Sequence, residues 1–263
     1  MHSSLVVISW WSNCLGLTCL RSLARFTQDR PIFVVQVGKA ERQKELFRQF
    51  LPQNVQELDY AADAPAEHSQ VIAHIIRNQL PSAHGLWFVD HDLFPRQNWE
   101  PWLKEYDSRF QVLPTCLCLP PAGTHPAVTQ PTFWLSPHRF PPDISLDPIP
   151  FQAGRQSRRP DLYPFTGALA MPQKDTLVRV RDFLQKQGRV SHYSLDHFPS
   201  YSHMGGLFLF AGPPISHPDF QEWQQTTIAQ FVLFFESCPA EWVAIEDPTL
   251  LHRIRTFQEL THA

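Results

Sequence analysis

Leu86-Trp87-Phe88-Val89-Asp90-His91-Asp92-Leu93-Phe94 is an apolar run that ends on two carboxylates. Its bulky residues predict a buried strand over Gly85–Val89, with the acids immediately beyond its carboxyl end. What precedes it has the same grammar. Leu5-Val6-Val7-Ile8-Ser9-Trp10 is a β-branched run suited to a first buried strand. Asn13 can cap a helix from about Cys14 to Phe26, with Leu15, Cys19, Leu20 and Leu23 on one stripe. Pro31–Val37 predicts a second strand, Gln43–Phe50 a second helix and Val55–Leu58 a short third strand. Asp63-Ala64-Pro65 offers a helix start, and Val71, Ile72, Ile75, Ile76 and Leu80 supply its buried face. Strands alternating with helices predict an α/β fold with a mostly parallel, Rossmann-like sheet flanked by helices.

After Asp92 the pattern changes. A helix is expected over Asn98–Tyr106 and a strand over Gln111–Leu119. Of the 25 prolines, a large cluster then lies between Pro120 and Pro172. Proline fixes φ and removes a donor, so this stretch predicts ordered loop with short strands such as Thr132–Leu135. It is not Gly/Ser-rich, so it does not read as a domain linker. Further helices are expected over Asp175–Lys186, Gln224–Phe235 and Thr249–Leu260. There is no internal repeat and no low-complexity tract. A single domain over residues 1–263 is the simplest account, in two halves, 1–95 and 96–263.

The 263 residues are 43% hydrophobic and 18% charged, which reads as globular. A formal net charge of -3 gives no sign of the broad basic surface that nucleic acid attracts. Cys14, Cys19, Cys116, Cys118 and Cys238 form no C-x-x-C pair and read as reduced thiols, consistent with a cytoplasmic protein. Leu5 to Trp11 is apolar, but no basic region precedes it and Ser12-Asn13 interrupt it. No run reaches the ~18 apolar residues that span a bilayer. The expectation is a soluble cytoplasmic chain with no transmembrane segment. No G-x-G-x-x-G or G-x-x-x-x-G-K loop is present, which argues against dehydrogenases and P-loop NTPases.

The acidic pair carries the chemistry. In open α/β sheets, ligands bind beyond the carboxyl ends of the strands. Two carboxylates two residues apart can share one divalent cation, and hard oxygen ligands favour Mg²⁺ or Mn²⁺. Such an ion can bridge a diphosphate and neutralise the charge that develops on it as a leaving group. The alternative for any D-x-D is a pair of solvated loop acids. His91, between them, reads as outward-facing or as a neighbour of a phosphate or the metal.

Several of these features together resemble the large inverting family of GT-A glycosyltransferases. Leu5–Ser9, then the helix with Leu20, Ser22 and Leu23, is similar to that family's opening strand and "S-L" helix. Arg77-Asn78, Gly85, Phe88, Asp90 and Asp92 resemble its "R-N … G … F-x-D-x-D" run. The likeness is best over residues 5–92. It implies a GT-A-like fold, with residues 1–95 as the nucleotide-sugar half and 96–263 as the acceptor and catalytic half. It also implies that the Trp10–Asn13 loop, with Trp10, Trp11 and Asn13, meets the nucleotide, and that Arg77 and Asp90 lie at the donor. The chain departs from the family at the end of the second strand, where Gln36-Val37-Gly38 replaces the usual acids, and in Trp11-Ser12-Asn13.

An inverting transferase needs a base for the acceptor hydroxyl. Thr166-Gly167-Ala168 and the helix around 180–184 look like the family segment that precedes it, and Asp196 is the acid that follows. A helix-cap or loop carboxylate is the alternative for Asp196. His203, beside Gly205-Gly206, is the candidate third metal ligand, as neutral imidazole is competent for that role; His197 and His217 are lesser ones. Arg155, Arg158 and Arg159 form a basic cluster that could clamp phosphate or lie as a solvated loop. Trp10 and Trp134 could stack on a ligand, or belong to the core.

The leading expectation is therefore a Mn²⁺- or Mg²⁺-dependent transferase moving a sugar from a nucleotide-sugar donor, with inversion. Its acceptor, whether sugar, lipid-linked sugar or protein, is left open. One alternative is a metal-dependent hydrolase in which His138 or His203 joins the acids. The other is a non-catalytic nucleotide-sugar or partner-binding domain of the same fold.

Overall fold

β1 (Ser4–Trp10) lies between two parallel neighbours, β2 (Ile32–Val37) and β4 (Leu86–Asp90), with Ile8 in register with Val35 and Asp90. This computed structural model describes residues 2–10, 12–27, 30–61, 68–120, 132–142, 144, 149–150, 174–175, 178–194, 198–204 and 229–262. β3 (Val55–Glu57) extends the sheet beyond β2. On the other side β7 (Thr132–Leu135) runs antiparallel to β4, β6 (Leu117–Leu119) antiparallel to β7, and β10 (Val190–His192) parallel to β6. The seven strands stand in the order β10-β6-β7-β4-β1-β2-β3, a mostly parallel α/β sheet with one reversed strand inside it. Strands from either side of residue 95 thus share one sheet. Two two-stranded ladders accompany it, β5 (Leu93–Pro95) with β11 (Tyr201–His203), and β8 (Ile149–Pro150) with β9 (Lys174–Asp175).

Alternation along the strands divides the core between the two faces. Leu5, Val7, Trp87 and Val89 point to one side, where they meet Leu15, Leu20 and Leu23 of α1 (Asn13–Phe26). The same side receives Trp102, Tyr106 and Phe110 of α4 (Glu100–Val112) and Phe231 of α6 (229–237). α7 (Ala240–Val243) and α8 (Pro248–His262) close it through Trp242, Leu250 and Ile254. Val6, Ile8 and Phe88 point to the other face, against Val71 and Ile72 of α3 (His68–His74) and Val180 and Leu184 of α5 (Val178–Lys186). Full burial of each such side chain is worth about 1.5–3 kcal/mol. α2 (Glu41–Arg48) contributes Phe47.

Ser12, and not Asn13, is the N-cap of α1. It has φ -78° and ψ 122°, and its hydroxyl accepts the Leu15 N–H at 3.2 Å. α4 runs to Val112, so the strand expected from Gln111 is confined to Leu117–Leu119. Trp134 is core: it is 2% exposed and donates to Ser3 Oγ at 2.9 Å. No helix among the described residues is long and apolar enough to cross a membrane.

Candidate metal centre at the carboxyl edge of the sheet

Asp90 closes β4, and Asp92 follows in the turn that leads into β5. β11 is tied to the chain just beyond the acids: His203 pairs with Leu93, Ser202 with Phe94 and Tyr201 with Pro95. Three bonds outside the ladder tighten the register. Met204 N–H donates to the Asp92 carbonyl at 2.9 Å, Arg96 N–H to the Ser200 carbonyl at 3.0 Å, and Arg96 Nε to Ser202 Oγ at 2.7 Å. α1 braces the other flank, where Cys19 Sγ lies 3.6 Å from the Asp90 carbonyl and Ser22 Oγ donates to the Pro95 carbonyl.

The result is a three-residue cluster. One ligand atom each from Asp90, Asp92 and His203 lies within 4.8 Å of the other two. His203 Nε2 stands 3.3 Å from Asp92 Oδ1. The electrostatics show a site short of positive charge. Burial, then the charge of Asp92, pushes Asp90 up to about 7. Burial also acts on Asp92, but the His203 hydrogen bond and the charges of His91 and His203 outweigh it and hold that carboxyl below its ordinary range. His203 responds in kind: burial opposes its proton, but the bond to Asp92 outweighs this and raises its pKa. Two carboxylates and an imidazole nitrogen at this spacing could hold a divalent cation.

Of the nucleotide-loop residues, Trp10 stands at the carboxyl end of β1, half-buried, with its ring 6.1 Å from that of His68. Asn13 is not open to a ligand. It is fully buried, its N–H donates to Glu246 Oε1 at 2.9 Å, and its amide donates to the Ile245 carbonyl. Arg77 is not brought to the acids either. His68 opens α3 at the carboxyl edge, and Arg77 lies nine residues on, about 13 Å down the helix axis. There its guanidinium donates to the carbonyls of Ile144 at 2.7 Å and Pro142 at 3.3 Å. His138 is likewise remote: its ring meets His84, ahead of the first residue of β4, at 4.8 Å. Trp11, Arg155, Arg158, Arg159, Thr166, Gly167, Asp196, His197 and His217 lie outside the described residues.

The structure adds residues that the pattern did not single out. Lys39, just past β2, is 3% exposed; its Nζ donates to Ser9 Oγ at 2.9 Å and lies 4.4 Å from the Phe47 ring centroid. Burial lowers its pKa from 10.5 to about 7. His68 and His91 are each lowered to about 4, by burial first. His91 is 9% exposed, and its Nε2 is buried without a hydrogen-bond partner. The carboxyl-edge position of Gly38-Lys39 was the available signal for Lys39; Gly38 makes the turn with φ 68°.

No known protein-family profile matches the chain, and no curated protein matches it. It is similar to several solved structures. The glycosyltransferase GlyE of Streptococcus pneumoniae TIGR4 is 10% identical over 73% of this chain and 45% of its own, with a TM-score of 0.43. This chain therefore spans less than half the length of that protein. The galactosyltransferase LgtC, solved with donor and acceptor sugar analogs, is 12% identical over 72% of each chain, with a TM-score of 0.43. Glucosyl-3-phosphoglycerate synthase from Mycobacterium tuberculosis, solved with Mg²⁺ and uridine diphosphate, is 11% identical over 89% of this chain and 79% of its own, at a TM-score of 0.47.

Proposed function

We propose that the chain is a divalent-metal-dependent glycosyltransferase that takes its sugar from a nucleotide-sugar donor bound at the carboxyl edge of the sheet. The observation that carries this reading is the cluster of Asp90, Asp92 and His203 within 4.8 Å, where strand topology places ligands. The F-x-D-x-D resemblance of the sequence around β4 supports the same assignment. Asp90, Asp92 and His203 would hold Mn²⁺ or Mg²⁺, which supplies charge neutralisation for a leaving diphosphate.

The chain's own residues do the rest. Asp92 orients the His203 imidazole, and the β5–β11 ladder fixes both. To act as a ligand, His203 gives up the proton at Nε2, so cation affinity rises with pH as that proton is lost. Asp196 is the base in this scheme, accepting the proton of the acceptor hydroxyl. Attack opposite the leaving diphosphate then inverts the anomeric carbon. Residues 1–95 serve the donor and residues 96–263 the acceptor. The five cysteines are free thiols, which fits a reducing compartment such as the cytoplasm.

The test is thermal shift with UDP-, GDP-, CMP- and dTDP-sugars, with and without Mn²⁺, on wild type and Asp92→Ala. One nucleotide should stabilise wild type by about 2.7 kcal/mol at a hundredfold excess over Kd. That effect should need metal and vanish in Asp92→Ala. Absence of a shift with every donor would refute the proposal. Where a donor binds, release of its nucleotide diphosphate across a panel of sugar, lipid-linked sugar and peptide acceptors names the acceptor class.

A further inference from the structure

The chain that follows α6 grips α1 along one side. Cys14, Thr18 and Arg21 are spaced four and three residues apart, so they share a face of that helix. Cys238 meets the first two, and the ring of Trp242 receives the Arg21 guanidinium at 4.4 Å. Glu246 completes the grip at the head of the helix. It accepts from the Ser12 hydroxyl at 2.8 Å and from the Asn13 and Cys14 N–H groups at 2.9 Å each. This docking brings together two cysteines from opposite ends of the chain.

The two thiols are in hydrogen-bonding contact, and their surroundings differ. Cys14 is fully buried, whereas Cys238 is half-buried and open to small solutes. The hydrogen bond to Cys238 holds the proton on Cys14, and burial and the charge of Glu246 add to this. Cys238 is the acceptor of that bond, and the Thr18 hydroxyl donates to it as well. These two bonds, the Cys14 one first, hold its pKa below the ordinary thiol value against burial and the charge of Glu246. The other three thiols are all raised, by burial first. Cys19 Sγ is also engaged with the Asp90 carbonyl at 3.6 Å, and Cys116 Sγ with the Arg139 carbonyl at 2.9 Å. Thiolate is the reactive form of cysteine, so exposure and hydrogen bonding single out one sulfur of the five and set a second beside it.

We infer that Cys14 and Cys238 are a peroxide-responsive pair, in which Cys238 is the attacking sulfur and Cys14 closes a reversible disulfide with it. The Cys238 sulfur attacks one oxygen of a hydroperoxide and the O–O bond breaks. That oxygen stays on sulfur as a sulfenic acid, and the other leaves as water or alcohol with the thiol proton. The Cys14 sulfur then attacks the Cys238 sulfur and the S–O bond breaks. Its hydroxyl leaves as water with the Cys14 proton. One peroxide is reduced by two electrons and two thiols become one disulfide, which a dithiol reverses by exchange. Transient disulfides of this kind are compatible with a reducing compartment. The bond turns a docking held by hydrogen bonds and a ring contact into a covalent tie between α1 and the chain beyond α6.

The experiment treats the fully reduced chain with hydrogen peroxide at a few equivalents and stops the reaction with catalase. The remaining thiols are alkylated under denaturing conditions and peptides are mapped without reductant. A linked Cys14–Cys238 peptide should form, with Cys19, Cys116 and Cys118 recovered as alkylated thiols, and dithiothreitol should reverse the link. Cys14→Ala should stop at a Cys238 sulfenic acid that dimedone traps. Cys238→Ser should consume peroxide about tenfold more slowly than wild type. No linked peptide from wild type, or a link between any other pair, overturns the inference. So does a folded Cys238→Ser protein that reacts as fast as wild type. The wild-type map needs neither variant, so a variant that does not fold leaves the test intact.

Discussion

Replacing Lys39 by methionine should make stability less dependent on pH, and the size of the effect follows from where the amine sits. Nζ is held against Ser9 Oγ and the Phe47 ring with 3% of the residue exposed. Burial lowers its pKa from 10.5 to about 7, although the charges of Glu246 and Glu57 act to raise it. Between those two values the unfolded chain keeps the Lys39 proton and the folded protein releases it. The unfolded state binds more protons there, so this residue makes stability rise with pH from about 7 to about 10, by about 1.4 kcal/mol per unit. At pH 7.5 the wild type forgoes roughly 4 kcal/mol relative to a neutral lysine, and at pH 9.5 roughly 1 kcal/mol. Lys39→Met keeps the stem and removes the titration. It leaves Ser9 Oγ without its partner, at about 1–3 kcal/mol. The variant should therefore be the more stable protein at pH 7.5, by about 1–3 kcal/mol, and its advantage should shrink by roughly 2–3 kcal/mol by pH 9.5. Urea denaturation at both pH values measures this, since the other titrating groups are common to the two proteins. A difference that does not change with pH would refute the argument.

Asp107→Ala should cost about 1–3 kcal/mol in urea denaturation, because it removes one of the two carboxylates on the buried Arg30, which keeps Glu100 at 2.9 Å, and leaves the Ser3 N–H and hydroxyl without their acceptor. Asp107 accepts from Arg30 Nη1 at 2.6 Å and from the Ser3 N–H at 3.0 Å, and a loss under 1 kcal/mol would contradict this. Gly85→Ala should lower the melting temperature through overpacking of about 1–3 kcal/mol. Its Cβ would come within 2.3 Å of Trp134 Nε1 and 2.5 Å of Ser3 Oγ, and an unchanged melting point would show that Trp134 can retreat. Asp90→Asn should raise the melting temperature in EDTA, by removing a buried charge and its repulsion from Asp92, while abolishing stabilisation by Mn²⁺; a fall in EDTA would mean that neither burial nor the pair destabilises the fold. Val112→Lys, at a position 81% exposed, should change stability by less than about 0.5 kcal/mol.

What the sequence revealed of this fold depended on how local each cause was. The β-branched run of β1 and the apolar run of β4 are fixed by burial on both faces, and both were legible. α4 was read too short because Gln111-Val112 resembles the start of a strand. Leu103, Tyr106 and Phe110 continue a helical stripe that buries against Trp87, and this packing decides the matter. β10 and β11 are three residues long and polar, so they exist through their partners, β6 and β5, and carry no period of their own. The candidate site divides the same way. Asp90 and Asp92 follow directly from the end of β4. His203 could be named only as a candidate, because its place depends on β11 pairing with β5. Ser12 and Asn13 are both good caps by type, and Glu246, which settles how they are used, has no local signal. Arg77 was placed by resemblance, and the π-helical turn Ile75–Gln79 that continues α3 holds it against the Pro142 and Ile144 carbonyls instead.

The seven-stranded sheet has a consequence at its two ends. An α/β sheet with so apolar a centre would be a hazard if its outer strands offered long rows of unpaired N–H and C=O groups to another chain. Among the described residues the outermost strands, β3 and β10, have three residues each, Val55–Glu57 and Val190–His192, with Glu57 held by Arg48 at 2.5 Å on one of them. Three residues give an incoming strand too few bonds to hold its register, and a charged, polar rim penalises the attempt. Among the described residues, then, the sheet ends on short, polar margins that resist strand-by-strand aggregation.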